Sequence, residues 1–452
     1  MKKTRIGLLT TLPFLAIGSV SMLSGCTGKY DATLTVYNWE DYIYEGKDED
    51  GNYVDDEGGI CERFEAYYKE KTGLRVKVNY KKFGTNEFMY QQIQMGAIKA
   101  DLVCPSDYMI QKMANDGMLE PFSYDESTDK YSESLSNWDK YGSPYIRERF
   151  ASEKLKDGSS FLKYAVPYFW GTMGFTYDPE YFEYEDVSSW ECLWSKDNKF
   201  QKQFSLKDSM RDTYLTGIFH VYREEILALD KDSETYTDDL SEIFNRCDDE
   251  TIAKVGNALK EAKASTVKIF EVDEGKDEIV KGNIHANLAW SGDAVFSMDS
   301  AEESADEKIL NYSLPEEGSN VWFDGWVMPK GAQKELAEEF VNFISAPKNA
   351  ALCMDAVGYT SPIAGQAIFD LINDWYAYDE ENDEGDTYEK DLSFFFGDTI
   401  IEEAVIVAPK SEIGRQFDAQ YPTLEDLSRC CLMKDFGAQQ EKVEAMWRSV
   451  RA

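Results

Sequence analysis

Apolar and polar positions change period several times along the chain, and each change marks an element. Leu34–Trp39 (LTVYNW) reads as an opening strand, and the acidic, Gly-containing stretch EGKDEDGNYVDDEGG after it reads as a loop. From Ile60 to Thr72 the apolar residues Ile60, Phe64, Tyr67 and Tyr68 fall on one helical face, with Gly73 as the stop. Leu74, Val76, Val78 and Tyr80 then alternate with charged or polar neighbours, which predicts a strand. Asn86 is placed to cap a helix through EFMYQQIQMGAI, and ADLVCPSDY reads as a short strand delivering a loop. Strand, helix, strand, helix, strand is the rhythm of a parallel α/β sheet, whose ligand loops gather at the carboxyl ends of its strands.

The middle of the chain repeats this theme less cleanly. YAVPYFWGTMGFTYD reads as strands joined by a tight turn, and SSWECLWSKDNKFQKQFSLKDSMRD as a helix, a linker, a strand and an acidic turn. IHANLAWSGDAVFSM predicts a strand running into a helix. VWFDGWVMP predicts another strand, followed by the amphipathic helix KELAEEFVNFISAP. A second acidic stretch, YDEENDEGDTYEKD, reads as a surface insertion, and no internal repeat is visible.

Size and charge narrow the function classes. A chain of 452 residues, 43% hydrophobic, buries a large core and usually divides into two or three domains. With 85 Asp and Glu against 47 Lys and Arg, its formal net charge of −38 repels nucleic acid and anionic membrane surfaces and steers cations towards carboxylate-lined clefts. Plain surface acidity is the alternative to that second reading. His220 and His285 are the only histidines, so a His-based metal cluster or hydrolase triad has almost no material, and GxSxG, P-loop and GxGxxG junctions are absent.

The N-terminus has its own pattern. Lys2, Lys3 and Arg5 precede an apolar stretch from Ile6 to Leu23, and LSGC ends at Cys26. This resembles the lipobox of bacterial lipoproteins, in which residues 1–26 carry the signal and Cys26 receives the lipid. An uncleaved membrane anchor is the alternative, against which Gly7, Pro13 and Gly18 interrupt the stretch. Seven cysteines follow Cys26 at irregular spacing, which is neither a disulfide framework nor a zinc pattern, although one disulfide remains possible.

Candidate chemistry centres on NVWFDGWVMP, which sets one carboxylate, Asp324, among two tryptophans and a phenylalanine. Either these rings are a core edge with Asp324 turned to water, or the nest awaits a cation, because burying an unpaired charge costs several kcal/mol. Trp290 and Asp293 in WSGDA repeat the arrangement.

Five blocks resemble the spermidine/putrescine-binding proteins of polyamine ABC transporters, a branch of the periplasmic binding protein family. They are VYNWEDYI (Val36 to Ile43), DLVCPSDYMIQKM, WSGDA, VWFDGWVMPKGA and GYTSPI (Gly358 to Ile363). The resemblance spans most of the chain after Cys26. It implies a type II fold of two lobes, each a mostly parallel sheet flanked by helices, with the ligand cleft at the hinge. One lobe is expected over 30–140 plus about 322–370, the other over about 141–321 plus 371–452.

The implied function is an extracytoplasmic, lipid-anchored, monomeric binding protein. It captures spermidine or putrescine for a membrane permease, without catalysis, cofactor or metal. A polyamine is a flexible aliphatic chain of protonated amines, so its site needs spaced carboxylates and aromatic walls, each ring attracting an ammonium by about 0.5 to 2 kcal/mol. Trp290, Asp293, Trp322 and Asp324 fit that need. The resemblance adds Trp39, Glu40, Tyr42, Ser106, Tyr108, Asp212 and Tyr359 as ligand contacts. For each, ordinary packing, a turn or a helix cap is the alternative, and Asp212 could instead pair with Arg211.

There are departures from the family pattern. Ser209 stands where an acidic residue is expected, Glu40 and Asp107 replace neutral residues, and Met433 falls where the family has a glutamine. They leave the choice among putrescine, spermidine and spermine open. A binder of the same fold for thiamine, ferric ion or a sugar is the nearest rival, and a surface glycosidase using two carboxylates a more distant one.

Overall fold

The computed structural model of the protein describes residues 29–47, 51–272 and 274–452; Cys26 and its leader lie outside them. Strand β1 (Ala32–Trp39) pairs in parallel with β2 (Val76–Phe83) and with β3 (Leu102–Val103). Helix α1 (Ile60–Thr72) joins the first pair and ends as its sequence predicts. Gly73 takes the left-handed conformation at φ 78°, where a Cβ is unfavourable, and its N–H donates to the Lys69 carbonyl at 2.9 Å. Phe64 on the buried face of α1 meets Phe340 and Phe343 at 5.0 and 5.6 Å between ring centroids. Leu74 lies outside the strand expected for it and is 50% exposed, because pairing with β1 starts at Ala32 opposite Val76.

Helix α2 (Asn86–Gln94) is capped by Thr85 rather than by Asn86. The Thr85 hydroxyl accepts from the Phe88 N–H at 3.2 Å, which leaves the Asn86 amide free to serve elsewhere. Helix α3 (Asp107–Asn115) begins four residues after β3, the short strand-to-loop delivery read in ADLVCPSDY.

Two long strands carry the sheet across the molecule. β4 (Ala165–Tyr177) is one continuous strand of 13 residues, not strands around a turn. Its glycines serve close packing. A Cβ on Gly171 would lie 2.3 Å from Ser291 Oγ and 2.7 Å from the Trp322 ring, and one on Gly174 would lie 2.4 Å from the Ser313 carbonyl oxygen. Beyond β4 come β5 (Phe204–Lys207), β6 (Val267–Glu271), β7 (Ala286–Trp290) and β8 (Ser319–Pro329). The order across the sheet is β2-β1-β3-β8-β4-β7-β5-β6. Its two ends are parallel, and the middle pairs, β3·β8, β8·β4 and β4·β7, are antiparallel. Every residue of β4 and β8 is buried, which is why they read as near-continuous apolar runs.

Helix α4 (Met210–Val221) follows β5, its first turn capped by Ser209 Oγ accepting from the Asp212 N–H at 3.3 Å. Helix α5 (Ser291–Glu302) follows β7 directly, as read in WSGDA. Of two clusters of buried apolar side chains, one runs from Leu34 through Trp170 and on past Trp326. The other holds Met173, Phe175, Trp190, Phe219 and Leu259 with Val443 and Trp447 from the last helix, Gln440–Arg451. β4 leaves the first cluster after Trp170 and enters the second at Met173, and Trp290 packs against both.

The chain therefore folds in the α/β class its patterning predicts, with antiparallel pairs at the centre of the sheet where a parallel one was expected. The second acidic stretch is only partly loop, since Thr387–Asp391 pairs antiparallel with Val405–Pro409. The seven cysteines after Cys26 are all free thiols, five of them buried. Among the described residues no helix is long and apolar enough to cross a membrane.

Candidate functional site

The ends of β1, β3 and β7, the starts of α3, α4 and α5, and the middle of β8 supply one cluster of carboxylates and rings. Asp324 lies at a register shift of β8 against β4 between Asp324 and Gly325, the kind of irregularity that re-aims a side chain. It also bridges Ser106, in the loop between β3 and α3. The Tyr42 hydroxyl donates to Asp324 Oδ2 at 2.6 Å. Oδ1 is buried with no hydrogen-bond partner among the described residues. Burial pushes the Asp324 carboxyl up to about 6, against the pull of the Tyr42 and Ser106 hydroxyls.

The rings close around this carboxylate. Tyr359 meets Tyr42 at 5.5 Å and Trp322 at 5.4 Å, both edge-on. Trp322 is itself fixed by donating its indole N–H to the Thr172 carbonyl at 3.2 Å. Gly292 makes the approach possible, since a Cβ there would lie 1.7 Å from the Tyr359 ring. The Tyr359 hydroxyl donates to Asp293 Oδ1 at 2.8 Å, so one tyrosine connects the Trp322–Asp324 and Trp290–Asp293 pairs.

The two pairs are not alike. Lys207, the last residue of β5, has a side chain only 1% exposed and places Nζ 3.0 Å from Asp293 Oδ2. The same ammonium donates to the Val272 carbonyl at 2.8 Å and sits 4.3 Å from the centroid of the Trp290 ring. Lys276 adds a second positive charge at 3.9 Å from Asp293. Burial works to raise the Asp293 carboxyl, but the two lysines and the Tyr359 hydroxyl outweigh it and hold the group below its ordinary value. The position where an external ammonium was expected is held by the chain's own.

Asp212 lies close by, accepting from the Trp290 indole N–H at 3.3 Å, and burial raises its carboxyl. Arg211 makes no ion pair with it among the described residues. Its guanidinium stacks over Tyr108 and Phe436, each at 4.1 Å, and donates to the Lys434 carbonyl. Tyr108 is tied to Asn86, whose amide donates to its hydroxyl at 2.9 Å and to Ser106 Oγ at 3.1 Å. Asp107 is buried, accepts from the Tyr108 and Phe323 N–H groups at 2.6 and 3.3 Å, and has its carboxyl raised well above its ordinary value by burial, with Asp324 adding to the effect.

Two sequence-predicted positions, Trp39 and Glu40, stand apart. Trp39 packs on Phe83 at 4.6 Å, with its indole N–H unpartnered among the described residues, and Glu40 is exposed just beyond β1. Neither reaches the carboxylates by a hydrogen bond or ring contact among the described residues. Met433 is buried in the second core.

Sequence reasoning missed Lys207, Lys276 and the bridging role of Asn86. Lys207 is followed by Asp208 in SLKDS, which reads as a solvated turn; the one available signal is a lysine closing the apolar strand FSLK.

Chemically, the arrangement offers buried anions, aromatic faces and hydroxyl acceptors, which suits a small cation with apolar parts. Comparison with known proteins finds relatives over most of the chain. The spermidine/putrescine-binding periplasmic protein of Escherichia coli (strain K12) is 24% identical over 351 residues, covering 77% of this chain and 83% of that protein. A putrescine-binding periplasmic protein of Pseudomonas aeruginosa (strain UCBPP-PA14) is 25% identical over 375 residues, 79% of this chain and 87% of its own.

Among solved structures, a spermidine/putrescine ABC transporter substrate-binding protein from Streptococcus pneumoniae superposes with a TM-score of 0.59 at 23% identity, covering 93% of this chain and 99% of its own. A lipoprotein of Treponema pallidum reaches 0.61 at 20% identity, covering 92% and 99%. Both share the two-lobed periplasmic binding protein fold with this chain. The model of the bacterial extracellular solute-binding proteins matches residues 62–381. Matched by that family over residues 62–381, well over half of its length, the chain belongs to the bacterial extracellular solute-binding protein family.

Proposed function

We propose that this protein is the extracytoplasmic substrate-binding component of an ABC importer, which captures polyamines of the putrescine and spermidine class and delivers them to a membrane permease. One observation carries the reading: Asp324 is buried among Tyr42, Trp322 and Tyr359 with one oxygen unpartnered among the described residues. A buried carboxylate without a cation is costly, and a protonated amine offsets that cost while its methylenes pack on the rings. The names of the relatives, which bind spermidine or putrescine, support the same ligand class.

In this reading Asp324, Asp212, Tyr42, Ser106, Trp290, Trp322 and Tyr359 contact the ligand, Tyr108 supports Ser106 through Asn86, and Trp39 and Glu40 belong to the cleft rim. The lobes are proposed over 30–140 with about 322–370, and about 141–321 with 371–452. The second apolar core, from Met173 to Leu288 and from Cys431 to Val450, falls wholly in the second range. The first core draws on both ranges, as it would where two lobes meet.

The cycle is binding without chemistry. The acidic field steers the cation in, lobe closure desolvates the charges, and the closed monomer presents its surface to the permease. A lipid on Cys26 would hold the protein at the membrane. Titration calorimetry of the chain from residue 27 onward, with putrescine, spermidine and spermine against lysine, thiamine and maltose, tests the proposal. Tight one-to-one heat with a polyamine alone is expected; heat only with a control compound would overturn the ligand class.

A further inference from the structure

We infer that Lys207 is a built-in ammonium that occupies one cation position of the site, so that the protein selects ligands with two ammonium groups over those with three or four. The inference rests on the polyamine reading and deepens it.

Lys207 Nζ makes the set of contacts that a bound amine would make. It has a carboxylate at 3.0 Å (Asp293), a carbonyl at 2.8 Å (Val272) and a tryptophan face at 4.3 Å (Trp290). Its side chain is 1% exposed, so the charge belongs to the interior of the site and not to its rim. Asp293, the partner, is itself joined through the Tyr359 hydroxyl to the rings around Asp324. The lysine therefore lies within the same connected cluster.

The remaining carboxylates show where external cations are still needed. Asp324 has no ion pair with a lysine or arginine among the described residues, and Asp212, although Lys207 and Arg211 draw its carboxyl down, lies within ion-pair distance of neither. Their hydrogen bonds come from neutral groups: Tyr42 for Asp324, and the Trp290 indole for Asp212. Asp107 is occupied by two backbone N–H groups. Glu271, opposite Lys207 in the strand ladder, is buried with both oxygens unpartnered among the described residues, and the same ammonium draws on it. Of these, Asp324 and Asp212 are the two that lie against the aromatic side chains of the site, Tyr42 and Trp290, and they are the anions placed for a ligand. A third ammonium would meet Lys207, with Lys276 behind it, in a desolvated site where like charges repel strongly. A lysine on this strand end acts as negative selection against longer polyamines, while the aromatic walls remain usable by the methylenes of a diamine.

The test is competition calorimetry of putrescine, spermidine and spermine on the wild-type protein and on Lys207→Met. Wild type is expected to bind putrescine at least tenfold more tightly than spermidine or spermine. Lys207→Met frees Asp293 and the Trp290 face, and is expected to shift the spermidine-to-putrescine affinity ratio at least tenfold towards spermidine. Because the single variant leaves Asp293 buried without its main partner, Lys207→Met/Asp293→Asn serves as the fold-safe control. It removes the repelling charge along with its counter-ion, and should bring the ratio towards unity. A wild type that prefers spermidine, or a ratio unchanged in whichever of these variants folds, would overturn the role of Lys207 while leaving polyamine binding intact. Binding of no amine by the wild type would overturn both readings.

Discussion

Tyr42 and Asp324, 282 residues apart in sequence, meet at 2.6 Å through the tyrosine hydroxyl. The bond pins the first aromatic loop to the middle of β8, and it satisfies one oxygen of a carboxylate whose other oxygen has no partner among the described residues. Replacing Asp324 by asparagine removes the charge and keeps the shape. Affinity for a cationic ligand should fall by at least about thirtyfold, roughly 2 kcal/mol. The ligand-free protein should unfold at a higher temperature, because a carboxyl raised to about 6 is held ionised at neutral pH at a cost of up to about 3 kcal/mol. Calorimetry and thermal unfolding measure the two opposite effects on one variant; loss of affinity accompanied by lower stability would contradict this account of Asp324.

The same carboxyl sets a pH dependence. Its folded value lies above its ordinary 3.8, so between that value and about 6 the folded state holds the extra proton. Its contribution to stability therefore falls as pH rises through this window and is fully lost above it. Ligand affinity runs the other way, since an ammonium needs the ionised form, and should rise with pH up to and through about 6. Binding measured from pH 4.5 to 8 should show this rise in wild type and a flatter profile in Asp324→Asn.

Tyr42→Phe removes the donor that draws the Asp324 carboxyl down. The pH midpoint of binding should move upward, and affinity at neutral pH should drop by a few-fold. An unmoved midpoint would mean that the 2.6 Å bond is not felt by the carboxylate.

Asp293 has the opposite linkage. Its carboxyl is held below its ordinary value by Lys207 and Lys276 despite burial, so the stability it contributes is present above the ordinary carboxylate value and is lost as pH falls through the lowered one. Asp293→Ala strands the Lys207 ammonium in the interior, and should cost about 3 to 5 kcal/mol of stability. Urea unfolding of this variant against Asp324→Asn separates an anion that holds the fold together from one proposed to bind the ligand.

Gly292 permits the approach of Tyr359, whose ring a Cβ would meet at 1.7 Å. Gly292→Ala should displace that ring, at about 1 to 3 kcal/mol in stability. Affinity should fall as well, because Tyr359 links Trp322 to Asp293. A variant with unchanged melting and binding would show that the ring relocates freely.

Local chemistry was legible wherever it acts over a few residues. Gly73 stops α1 because only the residue itself and the preceding turn matter, and WSGDA runs from strand into helix for the same reason. Errors arose where a neighbour distant in sequence decides. Asn86 yields the cap to Thr85 because its amide is engaged by Ser106 and Tyr108. Gly171 and Gly174 look like turn residues in a linear reading, yet β4 runs straight through them because Ser291, Trp322 and Ser313 press against its surface.

Alternating apolar patterning, net charge and the aromatic-carboxylate blocks were enough to establish an α/β chain with anions set among rings, since these follow from residue type and order. Charge pairing was not. Lys207 and Asp293 are 86 residues apart, and nothing local in SLKDS or WSGDA says that one ammonium will reach the other. Only the parallel pairing of β5 with β7 brings their ends together, and with them the distinction between Asp293, already neutralised, and Asp324, still open. Coulomb energy in a buried site depends on distances of a few ångströms, and those are a property of the folded chain alone.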